Sequence, residues 1–503
     1  MTPIVQEQSI RIADLMAVSG VKFGTSGARG LATDMTDRVC YAYVLAFLQY
    51  LEGGGELQRG SRVAIAGDFR PSSPRIMAAA ALAVTDAGCV PVNCGFIPTP
   101  AVALYGINNG IPSLMMTGSH IPDDRNGIKF NKATGEILKR DEEGICAQQV
   151  VIPGDRFKCN GGSITPFTLP AVDGEAEHNY VLRYLNFFPR QVLAGQRIGV
   201  YQHSSVARDV MAKILKGLGA EVVALGRSAK FIPVDTEAVR PEDVELAAKW
   251  GKEYDFDCII SADGDGDRPL VSDERGRWLR GDVAGILCAR YLGAQVVATP
   301  VSSNSAVEKC GWFGEVKRTR IGSPFVIAAM DEALATGATG VVGYEANGGF
   351  LIASGFDREG CHLPPLPTRD AIIVPLAILM LAKQHKVSIS GLLKQLPPRF
   401  TNSDRLKEFP TELSQSHIVT FNSGNFNKDK QAIEAVFGAE AGKVKSIDAT
   451  DGLRITFENE EVIHLRPSGN APELRCYNEA ASEARAESLN HRCLVIMNRW
   501  RES

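Results

Sequence analysis

The chain repeats one pattern three times: a strand-like apolar stretch, a helix-like stretch and a second strand-like stretch. The copies lie at residues 62–66, 74–87 and 89–94, at 197–201, 206–218 and 221–225, and at 295–298, 304–310 and 315–318. In the first two copies the helix is followed by a glycine, Gly88 or Gly219, as expected of a left-handed C-terminal cap. Strands that alternate with helices build parallel sheets, so the pattern predicts three related α/β domains.

Breaks in this pattern predict the domain organisation. Residues 153–170 are rich in glycine and proline, which is typical of a linker, and residues 273–280 contain a turn that opens the next domain. After residue 398 short strands mix with helix-like runs at 428–437 and 479–499. We predict three α/β domains with mixed sheets, at residues 1–155, 156–273 and 274–397, and a smaller C-terminal α+β domain at residues 398–503, arranged around a central cleft.

Composition excludes several classes of function. Hydrophobic residues make up 45% of the chain, charged residues 22%, and the net charge is -4, so neither nucleic acid nor a membrane is an expected partner. The 11 cysteines are scattered without a C-x-x-C pair, which indicates neither a disulfide framework nor a zinc site. The first ten residues lack signal-peptide features, and the apolar run 371–382 is too short to span a bilayer. We expect a cytoplasmic protein, monomeric or homodimeric.

A polar loop follows the apolar run 111–116, at the point where a strand of an α/β sheet would end. Ser119 and His120 in this loop, the Ser119 loop (residues 117–124), would lie where such sheets bind ligands. The following strand-like run carries Lys129. A hydroxyl, an imidazole and an ammonium are therefore expected together, although an ordinary polar turn with a solvated lysine would give the same pattern.

The backbone of this loop is expected to turn at its glycines. Gly118 can adopt a positive φ beside the serine hydroxyl, and Pro122 stiffens the far side of the loop. The pair Asn126-Gly127 is typical of a tight turn, so we predict that it leads the chain into the strand of Lys129.

Three carboxylates stand at alternate positions in the Asp263 loop (residues 263–268), which follows another apolar run. Asp263, Asp265 and Asp267 can converge on one hard divalent cation, because the two glycines between them allow tight winding. Mg²⁺ is the expected ion. Without a cation, an acidic turn of this kind would bring three like charges together.

A calcium loop is the main alternative for this segment. Glu274 does occupy the twelfth position counted from Asp263. The sixth position, however, is Arg268 where a calcium loop has glycine, and the flanking residues are typical of strands and not of helices. We therefore favour magnesium.

Two further segments carry polar groups in glycine-rich surroundings. The Glu345 loop (residues 343–349) places Glu345 and Asn347 after a strand-like run, a pairing that suits sugar hydroxyls. The Arg466 loop (residues 466–475) offers two guanidiniums, a hydroxyl, an amide and backbone N–H groups, which suit a phosphate dianion. Each segment alone is also compatible with an ordinary surface turn.

Taken together, five segments in this order resemble the α-D-phosphohexomutases, the family of phosphomannomutases, phosphoglucomutases and amino-sugar mutases. They are residues 22–30 and the Ser119, Asp263, Glu345 and Arg466 loops, and the resemblance covers almost the whole chain. It implies interconversion of hexose 1-phosphate and hexose 6-phosphate through a phosphoserine and a hexose 1,6-bisphosphate, which also serves as the activator.

The resemblance also implies roles for individual residues. The reacting centre would consist of Ser119, His120, Lys129, Arg29 and Arg268. Mg²⁺ would be held by the Ser119 phosphate with Asp263, Asp265 and Asp267. The hexose phosphate would be bound by Glu345, Asn347, Arg320, Arg466, Ser468, Gly469, Asn470 and Arg475.

The sequence departs from the family pattern at several positions that bear on the choice of sugar. Ile121 stands where most relatives have asparagine, Asn347 where serine is usual, and Ser323 where a histidine or aspartate is usual. In the Arg466 loop Asn470 and Ala471 replace a threonine and a glutamate. None of these positions is an expected metal ligand or the nucleophile.

The resemblance leaves the preferred sugar open. The Ser119 and Arg466 loops look most like those of bacterial phosphomannomutases, so mannose phosphate is the first expectation and glucose phosphate the second. The Glu-Ala-Asn-Gly run is similar to the sugar loop of N-acetylglucosamine-phosphate mutases, which is the alternative. A metal-dependent sugar phosphatase and a catalytically silent sugar-phosphate sensor are alternatives of other classes.

Overall fold

The first unit (residues 8–152) is built on one mixed sheet. The computed structural model describes residues 8–24, 27–468 and 472–501. The elements of this unit are β1 (Gln8–Arg11), α1 (Ile12–Ser19), β2 (Lys22–Phe23), β3 (Ala28–Leu31), α2 (Asp37–Gly53), β4 (Arg62–Gly67), α3 (Ser73–Asp86), β5 (Val90–Gly95), α4 (Thr99–Asn109), β6 (Ser113–Met116), β7 (Arg125–Lys132), β8 (Gly135–Glu136), α5 (Lys139–Cys146) and β9 (Gln149–Ile152). Its main sheet has the order β2-β3-β7-β6-β4-β5, with β8 paired to β7, and β1 pairs separately with β9.

The second unit (residues 175–271) and the third (residues 281–393) repeat the centre of this sheet. The second contains α6 (Glu175–Phe187), β10 (Arg197–Tyr201), α7 (Arg208–Gly217), β11 (Glu221–Leu225), α8 (Pro241–Glu253), β12 (Cys258–Ala262) and β13 (Pro269–Val271). The third contains α9 (Gly281–Leu292), β14 (Val296–Pro300), α10 (Ala306–Lys309), β15 (Glu315–Thr319), α11 (Ser323–Ala335), β16 (Val341–Tyr344), β17 (Phe350–Ile352), β18 (Phe356–Arg358), β19 (Cys361–Leu363), α12 (Ile373–His385) and α13 (Ile389–Leu393).

The fourth unit (residues 400–499) has a different architecture. Its elements are β20 (Phe400–Leu406), α14 (Thr411–Thr420), α15 (Phe426–Ala441), β21 (Val444–Asp448), β22 (Leu453–Phe457), β23 (Val462–Pro467), β24 (Leu474–Ala480) and α16 (Glu483–Arg499). Its five strands are all antiparallel, in the order β20-β24-β23-β22-β21. The predicted class, three related α/β units with mixed sheets and a smaller α+β unit, is confirmed.

The three repeats share one strand arrangement. In each, three neighbouring strands are parallel and a fourth returns antiparallel: β5-β4-β6-β7, β11-β10-β12-β13 and β15-β14-β16-β17. The predicted cap glycines are also confirmed, since Gly88 and Gly219 have φ of 75° and 97° directly after their helices. The same connection, from the third parallel strand to the antiparallel one, therefore occurs three times.

Two local predictions were wrong. Asn126 and Gly127 lie inside β7 and do not form a turn; the chain turns earlier, where the N–H of Arg125 donates to the carbonyl of Pro122. Gly127 is needed for space, because a Cβ there would lie 2.7 Å from the carbonyl oxygen of Ala28. The last helix begins at Glu483 and not at Glu479, whose segment belongs to β24.

One apolar core is shared by the first three units, and the fourth unit has its own. One apolar core runs through the first three units, from Ala64 through Val271 to Leu392. The fourth unit has a separate core that extends from Phe409 to Trp500. The first three units are therefore packed as one body, and the fourth is attached to them through polar contacts described below.

All eleven cysteines are free thiols, so no disulfide links any part of the described chain. Among the described residues we find no helix with the length and apolar character needed to cross a bilayer.

Candidate active site

The repeated connection brings three of the polar loops together. The Ser119 loop joins β6 to β7, the Asp263 loop joins β12 to β13, and the Glu345 loop joins β16 to β17. Each loop thus follows the carboxyl end of the equivalent parallel strand, where open α/β sheets place their ligand sites. Ser119 contacts Asp263 directly, and Arg369 bridges Asp267 and Glu345, so the three loops face one another.

Ser119 is held in a constrained conformation. It is completely buried and has a φ of 56°, which is unusual for a residue other than glycine and costs roughly 1–3 kcal/mol. Its N–H donates to Thr117 Oγ1 at 2.7 Å, and its carbonyl accepts from Arg70 Nη2 at 3.0 Å. Its hydroxyl donates to Asp263 Oδ2 at 2.6 Å. The loop therefore aims the hydroxyl at the Asp263 loop.

The role predicted for Gly118 was wrong. The positive φ belongs to Ser119 itself, and Gly118 is not among the residues with positive φ. A side chain at Gly118 would clash instead, because a Cβ there would lie 2.9 Å from the guanidinium carbon of Arg70. Glycine is required here so that Arg70 can hold the serine carbonyl.

Asp263, Asp265 and Asp267 form one buried cluster. None has measurable exposure, and one oxygen from each lies within 4.8 Å of the others. Thr99 Oγ1 donates to Asp265 Oδ2 at 2.7 Å. Asp265 Oδ1 and Asp267 Oδ1 are buried without a hydrogen-bond partner among the described residues. An all-oxygen cluster with buried, unpartnered carboxylate oxygens suits a hard divalent cation, so the triad can hold a metal.

Lys129, on β7, reaches this cluster from the first unit. Its Nζ donates to Asp265 Oδ2 at 2.6 Å and to Asp267 Oδ2 at 2.5 Å. Burial alone would raise the pKa of Asp265, but the Lys129 ammonium holds that pKa below its ordinary value. The pKa of Asp263, by contrast, lies well above its ordinary value, because it is buried beside two other carboxylates.

His120 and Arg268 border the serine hydroxyl. His120 Nδ1 lies 3.4 Å from Ser119 Oγ and 2.7 Å from Arg268 Nη1. The pKa of His120 is lowered to about 3 by burial and by the positive charge of Arg268. The imidazole is therefore neutral near pH 7, with Nδ1 accepting from the guanidinium, and Nε2 lies 4.0 Å from Asp235 Oδ2.

Arg29 adds a further positive charge to the same centre. It lies on β3, opposite Gly127 of β7. Burial together with the neighbouring guanidiniums of Arg268 and Arg369 lowers its pKa to about 10, so it remains charged near pH 7. A concentration of cations around buried carboxylates is suited to a multiply charged anion.

The Glu345 loop contributes a carboxylate and an amide. Glu345 and Asn347 are 4% and 7% exposed. Glu345 Oε1 accepts from Arg369 Nη1 at 3.2 Å, and Asn347 Oδ1 accepts the N–H of Gly349 at 2.9 Å. The carbonyl of Asn347 also accepts from Thr236 Oγ1 at 2.6 Å, which ties this loop to the second unit.

The Arg466 loop lies on the fourth unit, between β23 and β24. Arg466 Nε donates to Asp451 Oδ1 at 3.0 Å, and Asp451 Oδ2 accepts the N–H of Ile321 in the third unit at 2.9 Å. The N–H of Ser468 donates to the carbonyl of Glu473 at 2.8 Å, which closes the base of the loop. Asp451 therefore links this loop to the turn that carries Arg320.

The remaining predicted residues are placed as follows. The guanidinium of Arg320 lies 4.8 Å from the centre of the Phe325 ring. Arg475 Nη2 donates to Glu473 Oε2 at 3.4 Å. Burial raises the pKa of Glu237, and the positive charges of Arg280, Arg475 and Arg268 act in the opposite direction. Gly469, Asn470 and Ala471 lie outside the described residues.

Sequence reasoning missed several residues of the site. Asp68 and Arg70 directly follow β4, so the rule that polar residues after a parallel strand mark a site could have found them. Asp235 and Thr236 lie in a long loop of the second unit, and Arg369 lies between β19 and α12. No local pattern distinguishes these three.

Comparisons with known proteins agree with this geometry. Four family models described as "Phosphoglucomutase/phosphomannomutase" match: alpha/beta/alpha domain I at residues 20–150, domain II at 179–276, domain III at 280–400 and the C-terminal domain at 424–494. A "Phosphomannomutase" of Sinorhizobium fredii is 46% identical over 483 residues, covering 95% of this chain and 99% of the relative. One of Salmonella muenchen is 45% identical over 472 residues, covering 93% and 94%.

A solved structure has a similar fold. The phosphoglucomutase/phosphomannomutase family protein of Burkholderia thailandensis has a TM-score of 0.68 and 20% identity, covering 95% of this chain and 97% of that one. At this identity the likeness shows the fold alone. The family models and the relatives of 45–46% identity show more, and the chain belongs to the phosphoglucomutase/phosphomannomutase family, the α-D-phosphohexomutases, and is a phosphohexomutase.

Proposed function

We propose that this enzyme interconverts mannose 1-phosphate and mannose 6-phosphate through a phosphoserine at Ser119 and a 1,6-bisphosphate intermediate. The observation that carries the proposal is the hydroxyl of Ser119, buried on a strained loop and 2.6 Å from a cluster of three carboxylates. Two relatives of 45–46% identity bear the name phosphomannomutase, which supports mannose as the sugar.

Phosphoryl transfer would begin from the phosphorylated enzyme. The bond between phosphorus and Ser119 Oγ breaks while a bond forms to the free hydroxyl of the hexose monophosphate, which gives the bisphosphate. Mg²⁺ held by Asp263, Asp265, Asp267 and the serine phosphate would neutralise the phosphoryl oxygens. After the sugar turns over in the cleft, its other phosphate returns to Ser119, so phosphate is conserved over the cycle.

We assign Lys129 as the base that takes the proton of the attacking hydroxyl. A neutral amine would accept that proton and become an ammonium. The carboxylates of Asp265 and Asp267, 2.5–2.6 Å from its Nζ, would pair with the positive charge that this transfer forms. The neutral His120 and the cations Arg29 and Arg268 would hold and orient the phosphoryl oxygens.

The sugar and its non-reacting phosphate would be held by opposite sides of the cleft. The carboxylate of Glu345 can accept from two adjacent ring hydroxyls in either orientation of the sugar. Cations and hydrogen-bond donors of the third and fourth units would bind the non-reacting phosphate, namely Arg320, Arg466, Ser468, Gly469, Asn470 and Arg475. Because the sugar must be bound in two opposed orientations, the same phosphate site serves both half-reactions.

The proposal extends to the organisation and setting of the enzyme. We assign the serine, metal, sugar and phosphate sites to domains at residues 1–155, 156–273, 274–397 and 398–503. We also place the enzyme in the cytoplasm, with which eleven free cysteines are compatible. The bisphosphate would serve as the activator that phosphorylates Ser119.

N-acetylglucosamine phosphate is the second candidate substrate. Asn347 Oδ1 is engaged by the N–H of Gly349, so the amide of Asn347 can present N–H donors to a ligand. Such donors suit the carbonyl of an acetamido group as well as a hydroxyl. A pocket that hydrogen-bonds a 2-hydroxyl would disfavour the bulkier group by about 1 to 3 kcal/mol.

The deciding measurement is kcat/KM for mannose, glucose and N-acetylglucosamine 1-phosphates on one preparation with Mg²⁺ and catalytic bisphosphate. We expect mannose phosphate first and glucose phosphate second. A tenfold advantage for the acetamido sugar would refute the mannose assignment. Release of inorganic phosphate without need for bisphosphate would indicate a phosphatase, and the absence of both activities would indicate a sensor.

A further inference from the structure

Arg369 connects two carboxylates that belong to different loops of the site. Its Nε donates to Asp267 Oδ2 at 3.0 Å, and its Nη1 donates to Glu345 Oε1 at 3.2 Å. The side chain is 2% exposed, as is expected when a guanidinium is enclosed between its partners. One planar group therefore joins the proposed metal ligand Asp267 to the proposed sugar ligand Glu345.

The Glu345 loop is shaped around this arginine. A Cβ at Gly349 would lie 2.5 Å from Cδ and 2.8 Å from Cγ of Arg369. Gly349 does not have a positive φ, so its backbone conformation does not require glycine. The glycine is required by the path of the arginine side chain to Glu345.

The backbone around Arg369 is fixed by all three α/β units. Thr368 Oγ1 donates to Glu136 Oε1 of the first unit at 2.7 Å. Asp370 accepts from Tyr180 of the second unit at 2.8 Å and also from Tyr184. The N–H of Asp370 donates to the carbonyl of Phe350 in the third unit. The backbone on both sides of the Arg369 position is therefore held by contacts to all three units.

Charges alternate along the cluster. The Lys129 ammonium lies between Asp265 and Asp267, and the Arg369 guanidinium lies between Asp267 and Glu345. A buried carboxylate that loses its cation is left with an uncompensated charge and moves away from its like-charged neighbours. The carboxylate of Glu345 would then no longer point towards the sugar.

We propose that Arg369 is a positioning residue, which sets Glu345 at a fixed distance from the reacting centre so that sugar hydroxyls are presented to phosphoserine 119. The inference rests on the proposed function and adds to it a determinant of sugar binding. Lysine cannot replace arginine here, because a single ammonium lacks two donors held in a fixed plane.

The test compares five variants with the wild type: Arg369→Gln, Arg369→Lys, Glu345→Gln, the double variant Arg369→Gln/Glu345→Gln and, as a control, Arg358→Gln. Arg358 lies in the same unit, and its guanidinium lies 4.2 Å from the centre of the Tyr291 ring, outside the site. For each protein, kcat and KM for mannose 1-phosphate are measured together with the Kd of mannose 1-phosphate by calorimetry and the melting temperature.

A positioning role predicts a specific pattern. Arg369→Gln is expected to raise both KM and Kd by about tenfold or more and to lower kcat, since small displacements of groups in an active site reduce the reaction rate. Arg369→Lys should recover much of the melting temperature but not kcat/KM. Arg358→Gln should change only the melting temperature. Glu345→Gln should have a much smaller effect in the Arg369→Gln background than in the wild type.

Two results would overturn the inference. One is Arg369→Lys with kcat/KM within twofold of the wild type, which would reduce the role to charge compensation. The other is Arg369→Gln with a lowered melting temperature but unchanged KM and Kd. A wild type that does not interconvert the two phosphates is a different result, because it refutes the proposed function while the binding measurement still tests Arg369.

Discussion

The two parts of the proposed site are built differently. On one side the Ser119, Asp263 and Glu345 loops belong to units that share one apolar core, and the side chains of Asp263, Asp265 and Asp267 have no exposure. On the other side the Arg466 loop belongs to a unit with its own core, and the side chains of Arg466 and Arg475 are 19% and 34% exposed.

Polar contacts hold the fourth unit against the third. Near the cleft, Asp451 accepts the N–H of Ile321. At the far end, Glu479 accepts from Arg399 Nε at 2.6 Å and from Ser305 N–H at 2.9 Å. Units joined through such polar contacts are expected to move relative to each other more readily than units with a common core.

The difference matches the tasks proposed for the two sides. Phosphoryl transfer requires charges fixed in a dry environment, because preorganised groups need not rearrange when the reaction occurs. The distal phosphate must be bound in two orientations of the sugar, which favours a surface that can adjust. We therefore expect substitutions on the rigid side to reduce kcat strongly and substitutions on the adjustable side to affect mainly KM.

The largest effect is expected for Ser119→Ala. The variant should lose several orders of magnitude in kcat, since no other group can relay the phosphoryl group, while its melting temperature stays close to that of the wild type. Phosphopeptide mapping of the wild type should place the phosphate on Ser119. Stable phosphate on another serine, or a variant with appreciable turnover, would contradict the assignment.

Asp265→Asn should give the second largest effect. Loss of one buried carboxylate weakens Mg²⁺ binding and is expected to reduce kcat by at least about a hundredfold. Isothermal calorimetry with Mg²⁺ gives a readout independent of turnover, and Asp209→Asn on the exposed start of α7 is the control. Full activity of the wild type in excess chelator would show that the triad has no catalytic metal.

For the rigid side, the sequence predicted where the loops lie but not how their side chains meet. Ser119, Asp263 and Glu345 could be placed because each directly follows an apolar strand, and strands of parallel sheets bring their carboxyl ends together. Their side-chain contacts could not be predicted, since the bonds from Ser119 to Asp263 and from Lys129 to Asp265 span more than 130 residues.

Two of the missed residues share a physical cause. Arg369 and Asp451 each bind a partner in another unit, Asp267 and the N–H of Ile321, and nothing in their local sequence distinguishes them from surface residues. The wrong expectations, at Gly118 and at Asn126-Gly127, came from a rule of local turns, whereas the glycines are needed for close approach by Arg70 and by the carbonyl of Ala28. Tertiary packing, and not the formation of local turns, therefore requires glycine at these positions.

Asp451→Asn tests the adjustable side and should have a moderate effect. Removing the charge that holds Arg466 and the N–H of Ile321 should raise KM for mannose 1-phosphate by about tenfold, equivalent to about 1.4 kcal/mol, with a smaller change in kcat. Asp448→Asn in the neighbouring strand, where Asp448 accepts the N–H of Thr450, is the matched control. A variant of Asp451 in which kcat falls and KM does not change would remove the distinction between the two sides.

The smallest expected effect concerns the acid stability of the fourth unit. His464, 1% exposed, lies behind the Arg466 loop with Nε2 2.7 Å from the carbonyl oxygen of Asp451. Burial lowers its pKa from an ordinary value of 6.5 to about 4. Between these two values the unfolded chain binds a proton that the folded chain does not, so the free energy of unfolding falls as pH drops from 6.5 towards 4.

This linkage contributes about 1 kcal/mol of lost stability at pH 5.5 relative to pH 7.5. Glutamine at position 464 keeps a donor for the carbonyl of Asp451 but does not bind a proton in this pH range. The free energy of unfolding of His464→Gln should therefore fall less than that of the wild type between pH 7.5 and pH 5.5. Urea unfolding of both proteins at the two pH values measures the difference, with His178→Gln on the exposed face of α6 as the control. On the rigid side, burial likewise lowers the pKa of His203 to about 4. Equal losses of stability in the wild type and in His464→Gln would show that His464 is protonated in the folded fourth unit. The adjustable side would then accept a buried positive charge that the rigid side excludes.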